Sequence, residues 1–103
     1  MNAFEIYLNY SAACGQAKEL ENIARKLKNN AESYLDESLR RLSGKWNGDA
    51  SGEFIAKESK LIEKMRVEAD SLQQVAETIR RIARRTYETE MKALELSQKR
   101  TYS

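Results

Sequence analysis

The most constraining feature of this sequence is a short segment near its middle, Leu42–Ala50, which separates two long stretches of helical pattern. The chain contains no proline, and this segment holds its only tryptophan, Trp46, and two of its four glycines. Gly44 suits a helix C-terminus, since glycine adopts the left-handed conformation without steric cost. Asp49 suits the N-cap of the next helix, because its carboxylate accepts hydrogen bonds from free amides. The segment therefore predicts a turn over residues 43–49 that folds the chain back on itself.

The stretch before the turn predicts a first helix over about residues 11–42. Its apolar and small residues recur every three or four positions, as on one face of an amphipathic helix. They are Ala13, Ala17, Leu20, Ala24, Leu27, Ala31, Tyr34, Ser38 and Leu42, with Ile23, Leu35 and Leu39 widening the stripe. The frequent alanines favour close approach of another helix. Upstream, Ala3–Tyr10 alternates weakly between apolar and polar residues and predicts an extended arm.

The stretch after the turn predicts a second helix over about residues 50–96. One row of apolar residues comprises Phe54, Leu61, Met65, Leu72, Val75, Ile79 and Ile82. A neighbouring row repeats at heptad spacing: Ile55, Ile62, Ala69, Ala76 and Ala83. We expect this longer helix to outreach the first from about Arg84, as a polar overhang, and to end in a flexible tail at residues 97–103.

These elements predict one all-α domain, an antiparallel helix-turn-helix hairpin, in a chain of 103 residues. Charged residues make up 33% of the chain, yet two adjacent apolar rows are more than one hairpin can cover. We therefore expect the hairpin to complete its core with a partner. The candidate interface residues, taken from both helices, are Leu20, Leu27, Tyr34, Phe54, Leu61, Met65, Leu72 and Ile79.

Composition argues against several classes of function. The net charge of +2 is too small to indicate an electrostatic field that attracts nucleic acids or membranes. The chain has no histidine, no glycine-rich phosphate loop and no metal-ligand spacing, so we predict no catalysis, no cofactor, no metal site and no small-molecule substrate. The single cysteine, Cys14, excludes an internal disulfide and is interpreted as a small packing residue.

One basic cluster, residues 80–85, contains four arginines. It is compatible with a phosphate-binding face. We favour a solvated helix face, neutralised by Glu77 with Arg81 and by Arg84 with Glu88, each pair four residues apart. The cluster also lacks aromatic stacking partners for bases.

The tryptophan segment resembles the WXG100 family, small helical hairpins exported by type VII secretion systems. The resemblance rests on Trp46 and Gly48 between two long amphipathic helices, then Phe54 in the next turns, and it covers nearly the whole chain. It implies homodimers or heterodimers that form a four-helix bundle, and export to the cell surface or medium without a cleaved signal peptide. The N-terminus, Met1–Glu5, lacks the basic start and apolar core of such a peptide.

Many members of that family carry a C-terminal export motif, Tyr followed four residues later by Asp or Glu. Here Tyr87 is followed at that spacing by Met91, and Glu90 lies one residue early. We therefore expect a non-enzymatic secreted dimer recognised by the secretion ATPase or membrane machinery through Trp46, Gly48, Tyr87 and Glu90. The alternative is a targeting or chaperone-like partner that binds the helical N-terminal region of a larger secreted toxin. A third interpretation is a cytoplasmic coiled-coil adaptor or nucleic-acid-binding hairpin.

Overall fold

A computed structural model describes the backbone of residues 1–45 and 49–102, and the side chains of residues 1–41 and 52–100. All of the described backbone between Ala3 and Tyr102 is helical: α1 is Ala3–Lys45 and α2 is Asp49–Tyr102. The two helices form an antiparallel hairpin, which confirms the predicted fold class. In the part of the chain that is described, neither helix contains an apolar stretch long enough to cross a membrane.

The N-terminal end of α1 corrects the prediction of an extended arm. The side-chain oxygen of Asn2 accepts a hydrogen bond from the backbone N–H of Glu5 at 2.8 Å, and the Asn2 carbonyl accepts one from Ile6 N–H at 3.1 Å. Asn2 is thus the N-cap, and Glu5 places a negative charge in the first turn, where the helix dipole favours it. The backbone N–H groups of Glu5 and Ile6 thus have partners within the protein. If the helix began near residue 11, these groups would bond only to water. The helix therefore starts at Ala3, and the arm does not form.

The C-terminal part of α2 corrects a second prediction. Because α1 begins at Ala3, its first turns lie beside the residues beyond Arg84 that were expected to overhang. The rings of Tyr10 and Tyr87 are in contact, with centroids 5.1 Å apart and an interplanar angle of 44°. The helix itself continues to Tyr102, beyond the predicted end near residue 96. Its last turn carries Lys99 and Arg100, which complement the negative end of the dipole.

The contacts between the helices divide the hairpin into two compact units. The terminal unit comprises Met1–Glu21 and Gln74–Ser103, and the middle unit comprises Asn22–Gln73. Each unit contains one segment from each helix. The prediction of a single domain concerns whether the units fold together, and it stays a prediction.

Each unit is held together by a seam of small residues. In the middle unit the buried side chains are Ala24, Ala31, Ser38, Ile62 and Ala69, and in the terminal unit they are Ile6, Ala17, Ala76 and Ala83. Most of these positions repeat every seven residues, so each helix presents a small side chain to its neighbour once every two turns. Such small side chains allow helix axes to approach to about 8 Å, the close end of the usual range. We call these residues the alanine seam.

The alanine seam decides which predicted row of α2 faces α1. The row that faces α1 is the heptad row of Ile62, Ala69, Ala76 and Ala83. The row that includes Leu61 and Ile82 stays largely uncovered. The larger side chains are therefore left beside the contact and not within it.

Candidate interaction surface

The predicted interface residues flank the alanine seam on one side. Leu20, Leu27 and Tyr34 each lie three positions after a seam alanine of α1, and Met65, Leu72 and Ile79 lie three positions after a seam residue of α2. In an antiparallel pair, equivalent positions of the two helices fall on the same side of their contact. In each unit, these residues therefore share one side, which we call the open side of the seam.

The open side is apolar and incompletely covered. Leu20, Leu27, Phe54, Met65, Leu72 and Ile79 are half-buried. Tyr34 and Leu61 are exposed, at 42% and 47%. In the terminal unit, on the same side of the seam, Val75 and Ile82 of α2 are 49% and 58% exposed. Exposed apolar side chains are unremarkable singly, but several that adjoin along one side mark an interaction surface.

The opposite side of the seam is closed by polar contacts. In the middle unit, Lys28 Nζ lies 2.8 Å from Asp70 Oδ1 and donates a hydrogen bond to Gln73 Oε1 at 3.4 Å. In the terminal unit, the Arg80 guanidinium pairs with the Glu21 carboxylate. We call this the bridged side. Its charged groups are solvent-accessible, so each pair contributes modestly to stability.

The arginine cluster differs from its predicted arrangement. Among the described residues, neither Glu77 with Arg81 nor Arg84 with Glu88 is within ion-pair distance, and Arg80 pairs instead with the other helix. The remaining arginines lie exposed around a concavity that the two glutamates also line. Positive and negative groups therefore alternate there, which is typical of a solvated face rather than of a phosphate-binding site.

In the terminal unit, the Tyr10–Tyr87 pair interrupts the seven-residue repeat of small side chains in the alanine seam. Tyr10 lies seven residues before Ala17, so a large ring stands where the seam has a methyl group. Glu90 likewise lies seven residues after Ala83. Both residues are half-buried. Grooves open on either side of the tyrosine pair.

The groove on the open side has a volume of about 260 Å³. Its walls are mainly apolar, and Glu90 is its one charged lining residue among the described residues. The lining residues are Ile6, Asn9, Tyr10, Ala13, Ile79, Ile82, Ala83, Thr86, Tyr87 and Glu90. The groove was not predicted from the sequence, because three of its ten lining residues, Ile6, Asn9 and Tyr10, come from the segment predicted to be an arm. The spacing Ile6, Tyr10, Ala13, Ala17 continues the helical stripe upstream and indicates that the segment belongs to the helix.

One titratable group on the open side is perturbed. The hydroxyl of Tyr34 donates a hydrogen bond to the Glu58 carboxylate, and this bond, with the negative charge of Glu58, raises the pKa of Tyr34 above its ordinary value of 10.0. The pair links α1 to α2 within the middle unit. It holds the Tyr34 ring, a predicted interface residue, beside the seam.

The predicted recognition residues fall in two places. Trp46 and Gly48 lie outside the described residues, between the end of α1 at Lys45 and the start of α2 at Asp49. Tyr87 and Glu90 lie within α2, where Tyr87 packs on Tyr10 and both line the open-side groove. The predicted export motif is thus part of a helix that contacts α1.

Comparison with known proteins adds no further assignment: no family model, no curated protein and no solved structure matches this chain.

Proposed function

We propose that this protein is a small, non-enzymatic substrate of a type VII secretion system, working as a dimer through the open side of its seam. The observation that carries the proposal is the position of the Trp46–Gly48 motif. It falls between two long antiparallel helices, as in the WXG100 proteins that the sequence resembles.

The dimeric part of the proposal is supported by the open side. The half-buried and exposed apolar residues flanking the seam lie on the side that lacks bridging ion pairs among the described residues. A second hairpin packed there would bury both apolar layers and form a four-helix bundle, in which every helix has two neighbours. The bridged side would then face solvent.

The recognition part assigns separate roles to the residues of the motif. An aromatic ring at the end of a bundle offers a large contact area with a polar N–H group, a combination that protein interfaces favour. We assign this role to Trp46, with Gly48 permitting the backbone to approach a partner closely. Tyr87 and Glu90 supply the second half of the recognised surface.

A second candidate role is a targeting partner for a larger secreted toxin. It is favoured by the engagement of Tyr87 with Tyr10 and by Met91 at the position where the family motif has an acidic residue. A chain whose own motif is incomplete and partly enclosed would depend on a partner to complete the export surface. The partner would then be the toxin's helical N-terminal region, packed on the same open side.

Export of Trp46→Ala from the native host tests the proposal. We expect the purified variant to remain helical and associated, while the ratio of extracellular to cellular protein falls at least about tenfold, the equivalent of about 1.4 kcal/mol of lost recognition. Trp46→Phe, which keeps an aromatic ring, is the matched control and should retain intermediate export. Normal export of folded Trp46→Ala would contradict the recognition role. A stable monomer at micromolar concentration, measured by light scattering, would contradict the dimer.

A further inference from the structure

The residue that ends the alanine seam on α2 is an acid. Ala69, Ala76 and Ala83 recur every seven residues, and the next position of the repeat is Glu90. Glu90 is half-buried, and among the described residues no cation lies within ion-pair distance of its carboxylate. When a partner covers the groove, this carboxylate loses water, and a carboxylate that loses water without a partner cation is destabilising. Its place beside an open apolar groove indicates that the missing cation comes from another molecule.

We propose that the open-side groove of the terminal unit binds a helix of a partner chain, which inserts two apolar side chains and pairs a lysine or arginine with Glu90. The inference rests on the association proposed above and adds the chemistry of the partner. The groove is formed by α1 residues such as Ile6 and Ala13 and by α2 residues such as Ile79 and Ile82.

The size of the groove determines how much apolar material it accepts. Its volume of about 260 Å³ exceeds that of a cavity of about 150 Å³ able to hold one benzene molecule. It therefore has room for two aliphatic side chains or for one aromatic ring with a neighbouring methylene. Two side chains one turn apart, at positions i and i+3 or i+4, are what a docking helix presents to a groove.

The negative charge of Glu90 determines which charge the partner helix should carry. An acidic ligand, such as a fatty acid or the anionic headgroup of a lipid, would place a second negative charge beside Glu90 and is disfavoured. A basic residue on the docking helix would instead neutralise Glu90 when water is expelled. Because a hydrogen bond to a charged group is stronger than one between neutral groups, we expect the pairing to raise the affinity about tenfold.

A titration of the full-length protein with designed peptides tests this inference. The first probe is an alanine-based helical peptide with two leucines four positions apart and a lysine one turn further on. The second probe has glutamate in place of that lysine. The readout is the NMR shift of isotope-labelled isoleucine methyl groups, since Ile6, Ile79 and Ile82 line the groove, whereas Ile23 and Ile62 belong to the middle unit.

We expect the lysine peptide to shift the methyl groups of Ile6, Ile79 and Ile82 and to bind about tenfold more tightly than the glutamate peptide. In Glu90→Gln, which keeps the side-chain shape, the preference should disappear. Glu88→Gln is the matched control: Glu88 is exposed, does not line this groove, and its substitution should leave the preference intact.

Three results would overturn the inference. Equal affinity for the two peptides would exclude the role of Glu90, and shifts confined to Ile23 and Ile62 would place the binding elsewhere. If the protein forms a dimer in solution while the groove methyl groups respond to neither peptide nor concentration, association stands and the groove inference fails.

Discussion

Replacing a seam alanine by leucine probes the close approach of α1 and α2. Ala69, in the middle unit, has no exposed surface, whereas Ala56 of the same helix is exposed. Leucine and alanine have similar helix propensities, so Ala69→Leu and Ala56→Leu differ chiefly in whether the added isopropyl group meets the other helix.

The magnitude follows from the balance of two effects. If there were space, burying the isopropyl group would stabilise the protein by about 2 kcal/mol, at about 0.8 kcal/mol per carbon. Ala69 has no exposed surface, so the contact that it faces is already filled, and overpacking of a filled contact costs about 1–3 kcal/mol. We therefore expect Ala69→Leu to lower the free energy of unfolding by about 1–3 kcal/mol. Ala56→Leu should change it by less than about 0.5 kcal/mol.

The assay is urea unfolding followed by circular dichroism at a fixed protein concentration, because association would make apparent stability depend on concentration. In a parallel thermal unfolding experiment, each kcal/mol of lost stability corresponds to a fall in Tm of about 4–8 °C for a domain of this size. An Ala69→Leu protein that is as stable as the parent, or more stable, would show that the helices are far enough apart to accept a leucine core. The alanine seam would then not be the closest contact.

Two further predictions concern single contacts. Asn2→Ala removes the acceptor for the Glu5 amide, and we expect about 1 kcal/mol lower stability together with faster amide hydrogen exchange in the first turn of α1; unchanged exchange would contradict the cap. Because the Glu58 carboxylate raises the pKa of Tyr34 above 10.0, its proton is held more tightly in the folded state, so this contribution to stability is complete below pH 10.0 and is lost as the pH rises through the folded pKa. Glu58→Gln should lower the pKa of Tyr34, measured by 13C NMR of the ring during an alkaline titration; a Tyr34 that ionises at or below 10.0 in the parent protein would refute the contact.

The helical period predicted most of the fold because it records which residues of each helix face inward. It predicted an antiparallel hairpin and the heptad row of α2 that is buried against α1, whereas the row that includes Leu61 and Ile82 stays largely uncovered. It failed at Ala3–Tyr10, where Phe4, Ile6 and Leu8 alternate like a strand. In the structure, the Asn2 cap and the continuing stripe from Ile6 outweigh that local pattern.

The groove could not be predicted in the same way. Its position depends on the register between two helices, which brings Tyr10 beside Tyr87, and the period of either helix alone does not specify register. The cross-helix pairs Glu21–Arg80 and Lys28–Asp70 depend on register for the same reason. The predicted pairs within α2 required only a spacing of four, and they are not formed among the described residues.

The regularity of the alanine seam has a consequence for alignment of the two helices. Its alanines are interchangeable, so sliding one helix by seven residues would still bring Ala24 or Ala31 against an alanine of α2. Such a slip would cost little in the seam itself, because alanine has no side-chain rotamers to rearrange. Among the described residues, the contacts that do not repeat include Tyr10 with Tyr87, Glu21 with Arg80, and Lys28 with Asp70. The repeating alanines thus hold the helices together, whereas the contacts that do not repeat select one alignment of the helices. Isolated polar residues set the register of coiled coils in a similar way.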